Sequence, residues 1–389
     1  MDQSVTKLSE PPWVWPRAAY VHVPFCAHHC GYCDFAVVAG RDDQIGPYLD
    51  ALRAELSTLG RPEPVRTLFI GGGTPSHLRG RHLQRLLRMV REALPLEADD
   101  GQPEFSVEAN PDDIDDQTVS ILADYGVSRV SLGVQSFQPH LLRVLERRHD
   151  PAQVPRAVER LRRHIREVSL DLIFGVPGQT PADWADDLRR AIALPIDHVS
   201  TYGLTYEKGT RLWKERARGR LIPLSEEAEL QLYEQAIDTL EAAGLEQYEI
   251  SNFARPGHRS RHNQTYWANE AYFGFGLGAA RYVRFRRERN TRSLSLYLRT
   301  CLAGGSPTVE AEELVPDERA KETLAVQLRR VQGIDRQRFR EQTGFDLDDL
   351  AGPAIARAVE LGLLEDRGEV VRLTRRGRCV ADAVITTLL

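Results

Sequence analysis

Three cysteines fall within eight residues, Cys26-Ala-His-His-Cys30-Gly-Tyr-Cys33, at the spacing C-x3-C-x2-C. Three thiolates on one tight loop can hold three irons of a 4Fe-4S cluster and leave the fourth iron open to a cofactor. The alternative is zinc. A structural zinc site wants four ligands, and no second Cys pair completes one here, although His28 or His29 could supply the fourth. Cys301 and Cys379 stand alone and read as inert thiols. Clustered cysteines in a chain with no secretion signal read as metal ligands or redox groups rather than as disulfides.

Further polar groups recur at the ends of apolar runs. Gly71-Gly-Gly-Thr74-Pro75 follows one such run; glycines let the backbone approach a ligand closely, and Pro75 fixes the exit. Glu108 in Val-Glu-Ala-Asn-Pro, Gln135 in Gly-Val-Gln-Ser-Phe and Asp171 in Ser-Leu-Asp-Leu-Ile-Phe-Gly each sit among strand-forming residues. A carboxylate so embedded is costly unless partnered. Each either ties adjacent strands together or faces a ligand. Their shared place at the same end of successive strands favours one ligand, with Glu108 and Asp171 suited to cationic or hydroxyl groups and Gln135 to neutral ones. Arg147, in Leu-Glu-Arg-Arg-His, either neutralises a carboxylate or is a solvated helical arginine.

The elements that must position these groups follow from periodicity. Short β-branched runs at 18–23, 66–70, 104–107, 128–132, 168–174 and 198–202 read as buried strands. Helical patterns separate them; the clearest puts Val154, Val158, Leu161 and Ile165 on one face. This alternation predicts an α/β fold with a parallel sheet, a partial (βα)6 TIM-like barrel whose ligands gather at the carboxyl ends of the strands. Ser225 is a good N-cap for a helix ending at Gly244. We therefore divide the chain into a tail (1–16), the barrel (17–224), a connecting region (225–309) and a smaller α+β winged-helix-like domain (310–389), in which 366–368 form a turn and 370–373 a strand.

At 42% hydrophobic and 28% charged residues, the composition is that of a soluble globular protein. No apolar run reaches the roughly 18 to 20 residues that span a bilayer, and residues 1–16 lack a signal-peptide core, so a cytoplasmic location is expected. A formal charge of -5 opposes a broad nucleic-acid surface. A nucleic-acid role would rest on a local patch at Arg372, Arg375, Arg376 and Arg378.

The cysteine motif, with an aromatic before its last Cys, resembles the signature of the radical S-adenosylmethionine superfamily. In that superfamily the amino and carboxylate groups of S-adenosylmethionine chelate the open iron, and an electron from the cluster splits the sulfonium to give a 5'-deoxyadenosyl radical. Tyr-Val-His-Val-Pro-Phe-Cys, Gly-Gly-Gly-Thr-Pro-Ser, Val-Glu-Ala-Asn-Pro-Asp-Asp, Ser-Leu-Gly-Val-Gln-Ser-Phe-Gln and Asp-Leu-Ile-Phe-Gly-Val-Pro-Gly-Gln-Thr resemble one branch, the HemW haem chaperones. These are related to HemN, the oxygen-independent coproporphyrinogen III oxidase. The resemblance runs from about residue 17 to the C-terminus. It implies that Cys26, Cys30 and Cys33 hold the cluster, and that Tyr20, Tyr32, Gly72, Gly73, Thr74, Glu108, Gln135, Arg147 and Asp171 contact S-adenosylmethionine.

Two departures separate the chain from the oxidase pattern. Cys33 is followed by Asp34 and Phe35, where the oxidase continues Cys-x-Cys, and only a short tail precedes the first strand. Downstream, His262-Asn-Gln-Thr-Tyr266-Trp267 has the family's H-N-x-x-Y-W form proposed for haem contact. An imidazole suits iron, and flat aromatics suit a porphyrin; a structural histidine among core aromatics is the other reading. Many relatives carry Cys where this chain has Ser260, so thiolate ligation is not available at that point. Arg281, Arg284, Arg286, Arg287, Arg289 and Arg292 form a basic run that could pair with porphyrin propionates or simply be solvated. The resemblance implies haem or another tetrapyrrole as ligand, haem proteins as recipients, an electron donor if the cluster cycles, and a homodimer as one assembly. The alternative function is coproporphyrinogen III oxidation or another radical tetrapyrrole modification.

Overall fold

A computed structural model describes residues 10–97 and 102–389. Strand β1 (Ala18–Val23) leads through the cysteine loop to helix α1 (Ile45–Ser57), and β2 (Thr67–Gly72) leads to α2 (Arg81–Ala93). Next come β3 (Glu104–Ala109) with α3 (Asp116–Asp124), and β4 (Arg129–Gln135) with α4 (Pro139–Val144) and α5 (Gln153–Arg162). They are followed by β5 (Glu167–Phe174) with α6 (Pro181–Ile192), and β6 (His198–Gly203) with α7 (Arg211–Ala217) and α8 (Glu226–Ala242). The six strands pair in chain order and all in parallel. The expected partial barrel is therefore the fold. Its strands reach beyond the apolar runs at their carboxyl ends, to Gly72, Ala109, Gln135 and Gly203, where polar and glycine residues hide the signal.

Alternation along each strand separates two environments. Val21, Leu68, Ile70, Phe105, Val107, Val130, Leu132, Leu170 and Leu172 pack under the helices in one core, each contributing about 1.5–3 kcal/mol by leaving water. Between them stand Tyr20, His22, Phe69, Ser106, Glu108, Arg129, Ser131, Ser169, Asp171, His198 and Ser200, on the opposite face of the sheet. The lumen is thus polar and hydroxyl-lined, which leaves room for a ligand.

The connecting region joins the same architecture. Strand β7 (Asn252–Ala254) runs antiparallel to β6. After helix α9 (Arg261–Trp267), strand β8 (Tyr272–Gly276) lies parallel to β1 on the side away from β2, pairing Ala18 with Tyr272 through His22 with Gly276. This seventh parallel strand was not expected. Tyr272-Phe-Gly-Phe-Gly alternates aromatics with glycine, which hides its strand character, yet the glycines are needed: a Cβ at Gly274 would run into the Ala280 carbonyl. Beyond β8 the sheet continues antiparallel through β9 (Ala280–Val283), β10 (Arg286–Asn290) and β11 (Thr308–Glu313). Phe253, Phe273, Phe275 and Tyr297 belong to the barrel's own core.

A second core lies beyond Pro316, built from Leu324, Leu328, Phe339, Ile355, Val371 and Ile385. Helices alternate there with a hairpin of β12 (Leu364–Asp366) and β13 (Val370–Leu373), the winged-helix-like arrangement expected. Its seam with the barrel has Ile250 packed on the C-terminal core and a set of polar contacts beside it. The side-chain amides of Gln327 and Gln342 both donate to the Ala268 carbonyl at 3.0 Å. Arg338 meets Glu270 at 2.7 Å, Arg287 meets Glu322 and Arg375 meets Asp238 at 2.6 Å.

Candidate cluster and cofactor site

A cavity of about 520 Å³ opens at the carboxyl ends of the barrel strands. Its wall gathers Cys26, Cys30, Tyr32, Cys33, Gly72, Gly73, Thr74, Glu108, Gln135, Arg147 and Asp171, residues that span almost 150 positions of sequence. Tyr20 lies deeper, on the wall of a second cavity of about 350 Å³ inside the barrel. Glu108, Ser131, Asp171, Tyr202 and Phe35 border both spaces.

The cysteine loop is held from several sides. His22, at the end of β1, bonds Tyr20 through Nδ1 and the Ala36 carbonyl through Nε2, both at 2.9 Å. This ties the return of the loop to its start. Gly31, between the second and third cysteines, donates to the Leu145 carbonyl at 3.3 Å and accepts from the Leu212 N–H at 2.9 Å. Burial pushes the thiol of Cys26 up to about 12 and that of Cys33 up to about 11. Both are neutral until something replaces their protons. Thr74 Oγ1 stands 3.5 Å from Cys26 Sγ, and Arg147 Nη1 stands 3.8 Å from Cys30 Sγ, donors suited to a thiolate. Among the described residues no group of three His, Cys, Asp or Glu side chains forms a single-ion cage; the three thiols instead rim an open cavity.

The glycines of the second loop are required by what surrounds them. Gly72 has φ of +110°, and a Cβ there would overlap the His22 ring. A Cβ at Gly73 would stand 2.7 Å from the Pro24 backbone, and one at Gly71 2.7 Å from Glu108 Oε2. The close approach lets the Gly72 N–H donate to Glu108 Oε2 at 2.8 Å.

Two carboxylates face this space. Burial raises Glu108 to about 7, and the neighbouring Asp171 adds to the rise. Burial likewise raises Asp171 to about 6, against the lowering effect of hydroxyls including Ser131 Oγ, which reaches both its oxygens at 2.9 and 3.1 Å. A cationic ligand would relieve both. Gln135 ends β4 at a register shift with φ of +66°, a conformation non-glycine residues rarely hold, and it lines the cavity. Arg147 donates to Asn110 Oδ1 at 2.6 Å and to the Gly133 carbonyl, while its buried Nε has no partner. It is therefore part of the buried cavity wall and not a solvated arginine.

The candidate haem residues behave differently. His262 sits on α9 at 1% exposure, facing the inner cavity. Its Nδ1 bonds Thr67 Oγ1 and its Nε2 bonds the Tyr266 hydroxyl, each at 2.9 Å, and its ring stacks on Phe69. Burial lowers it to about 4, so it is a neutral imidazole with both nitrogens engaged. The basic run lies on β9, β10 and the loops beside them, and each arginine meets a carboxylate. Arg281 and Arg286 meet Glu288, Arg284 meets Glu10, Arg287 meets Glu322, Arg289 meets Glu310 and Arg292 meets Asp34. Of the C-terminal patch, Arg372 pairs with Glu365 and Arg375 with Asp238, while Arg376 reaches the Leu361 carbonyl.

A family profile described as the Radical SAM superfamily matches residues 20–191, and the HemN C-terminal domain matches residues 314–380. The heme chaperone HemW of Bacillus subtilis is 37% identical over 96% of this chain and 99% of its own. The heme chaperone HemW of Escherichia coli is 32% identical over 96% of this chain and 98% of its own. The chain belongs to the HemW family. Coproporphyrinogen III oxidase (HemN) from Escherichia coli shares the fold, at a TM-score of 0.84 and 22% identity, covering 100% of this chain and 93% of that one. Membership of the radical SAM superfamily implies a 4Fe-4S cluster and S-adenosylmethionine. The donor set of this HemW-family chain fits both, with three thiols on one rim and two buried carboxylates beside them.

Among the cavity residues not singled out from sequence, three hold or border the polar groups. Asn110 bridges Arg147 and Thr74, at 2.6 and 3.2 Å. Ser131 holds Asp171, and Tyr202 stands between the two cavities. Asn110 follows Glu108 in the same motif, which was a usable signal. Ser131 and Tyr202 carried none.

Proposed function

We propose that this chain holds a 4Fe-4S cluster through Cys26, Cys30 and Cys33, binds S-adenosylmethionine beside it, and binds haem for delivery to haem proteins; its relatives are named heme chaperones. The observation that carries this reading is the convergence of three thiols and two cation-seeking carboxylates on one cavity. When bound, the cluster supplies one electron and an open coordination position.

The chain's own groups divide the work of binding. Gly72 and Gly73 bring backbone close to the ligand, and Glu108 and Asp171 receive its positive charge. Gln135 and Tyr32 line the remaining wall, with Tyr20 beneath. Arg147 and Thr74 direct N–H and O–H groups at the thiol sulfurs, and Thr74 and Asn110 hold Arg147 in register. For haem, His262 would be the residue to hold the iron, through the Nε2 that now meets the Tyr266 hydroxyl, with Thr67 orienting the ring at Nδ1.

Anoxic reconstitution tests the reading. The protein should take up about four irons with a visible charge-transfer absorbance, and replacing all three cysteines with alanine should remove both. Haem titration should saturate at a fixed stoichiometry, and His262→Ala should shift the Soret band. An unchanged band moves the ligand elsewhere, and no saturable haem binding defeats the chaperone reading. Product formed from coproporphyrinogen III in the same preparation would favour the oxidase instead.

A further inference from the structure

The cluster loop exposes Ala27, His29, Asp34 and Phe35, and at the buried Gly31 it is covered by α7. The Gly31 carbonyl accepts from the Leu212 N–H at 2.9 Å, so the first turn of α7 sits directly on the backbone between Cys30 and Tyr32. Gly31 has no side chain to keep α7 away; a Cβ there would stand 2.8 Å from Glu146 Oε2, the carboxylate that holds Arg211 across the loop. Covering residues are therefore one layer thick at this point.

That layer is unusually basic. Residues 207–220 carry Lys208, Arg211, Lys214, Arg216, Arg218 and Arg220 against only Glu207 and Glu215, in a chain whose formal charge is -5. Glu215 is shared between Arg218 and Arg220, at 3.3 and 3.7 Å, so the cations stay in excess. Among the described residues Lys208, Lys214 and Arg216 meet no carboxylate, whereas each arginine of the run around β10 meets one. Beside the basic helix runs a groove of about 460 Å³ lined by Val144, Leu212 and Leu221 and bordered by Arg143 and Arg220, with Glu215 as its one carboxylate. Ile222 is 81% exposed. An apolar lining bordered by cations is the pattern of a transient interface steered by charge.

We propose that the face formed by α4, α7 and residues 218–222 is the docking surface of a small acidic one-electron carrier protein, seated over Gly31. The proposal rests on the reading that Cys26, Cys30 and Cys33 hold a redox cluster. One electron leaves the reduced carrier, which is oxidised by one, and arrives at the cluster, which is reduced by one; no bond or proton need move. Nucleic acid would meet the cations equally well. It would gain nothing from the apolar lining or from a position over the cluster loop, and the acidic carrier gains from both.

The test uses the reconstituted full chain and flavodoxin as probe. Binding of oxidised flavodoxin is measured by titration calorimetry at low and high salt, and bleaching of the cluster by photoreduced flavodoxin is followed anoxically. The combined variant Lys214→Glu, Arg218→Glu, Arg220→Glu should bind at least about tenfold more weakly at low salt and bleach correspondingly more slowly. Dithionite, which needs no docking, should bleach it at the wild-type rate. Arg143→Glu on α4 should weaken binding independently, whereas Arg357→Glu in the C-terminal domain should not. Equal affinity in wild type and triple variant overturns the docking surface, as does preferential binding of a duplex oligonucleotide to the same residues. Absence of iron-sulfur absorbance before any flavodoxin is added overturns instead the reading beneath it.

Discussion

Glu108 answers to two demands that oppose each other. Its carboxyl group has a folded pKa of about 7 against an ordinary 4.5. A raised folded pKa means that the folded state holds its proton more tightly, so folding loses stability as pH climbs from about 4.5 through 7. Glu108→Gln keeps an oxygen for the Gly72 N–H and removes the buried charge. In the protein without cofactor, the variant should be about 1–3 kcal/mol more stable than wild type at pH 8 and equal to it near pH 4, as read from urea midpoints. Its affinity for S-adenosylmethionine at pH 8 should fall about tenfold or more. Identical pH profiles for the two proteins would remove the electrostatic role given to this residue. The residues legible in advance were those whose chemistry is concentrated in short segments: the cysteine triad, the glycine loop and the strand-end carboxylates. Ser131 was not legible, because its importance arises from register, which sets it beside Glu108 on one strand and Ser169 on the other, under Asp171. His262 was legible as a residue type, but its Nδ1 partner lies 195 positions away.

At the scale of elements, α9 depends on a carboxylate from another strand. Glu104, at the start of β3, accepts from the N–H groups of Arg261 and His262 at 2.8 and 3.1 Å, and Ser260 caps the same turn through the Asn263 N–H at 3.3 Å. Glu104 is 3% exposed. Glu104→Ala leaves buried donors without acceptors and should cost about 2–4 kcal/mol in a denaturant melt. It should also alter the haem spectrum if His262 is the axial ligand, since α9 positions that ring. An unchanged melting midpoint would show that water substitutes for the carboxylate. Sequence periodicity found each of the β1–β6 strands because their outward faces are continuously apolar. It passed over β8, in which glycine occupies alternate positions and supplies no periodic signal.

Among the described residues the barrel's main core and the C-terminal core meet across a seam that carries side-chain amides and ion pairs. Polar seams couple domains more weakly than apolar ones. Calorimetry should give one transition for the wild type, and Gln342→Ala together with Glu322→Ala should resolve two, because the first removes an amide from the Ala268 carbonyl and the second releases Arg287. A single transition in the variant would mean that the cores melt cooperatively without these contacts. The division into a barrel and a winged-helix-like domain was legible from the change in element pattern. The weakness of the join was not, because it depends on which polar residues of distant segments happen to meet.

Pairing of β8 with β1 also sets the order in which the protein can be made. The edge of β1 that faces away from β2 stays open until residue 276 has left the ribosome. At roughly 5–20 residues per second, this leaves the nascent cysteine loop beside an unfinished sheet for on the order of ten to fifty seconds. If Cys26, Cys30 and Cys33 take up a cluster as proposed, iron delivered before residue 276 emerges would meet a loop whose flanking strand still has one unpaired edge.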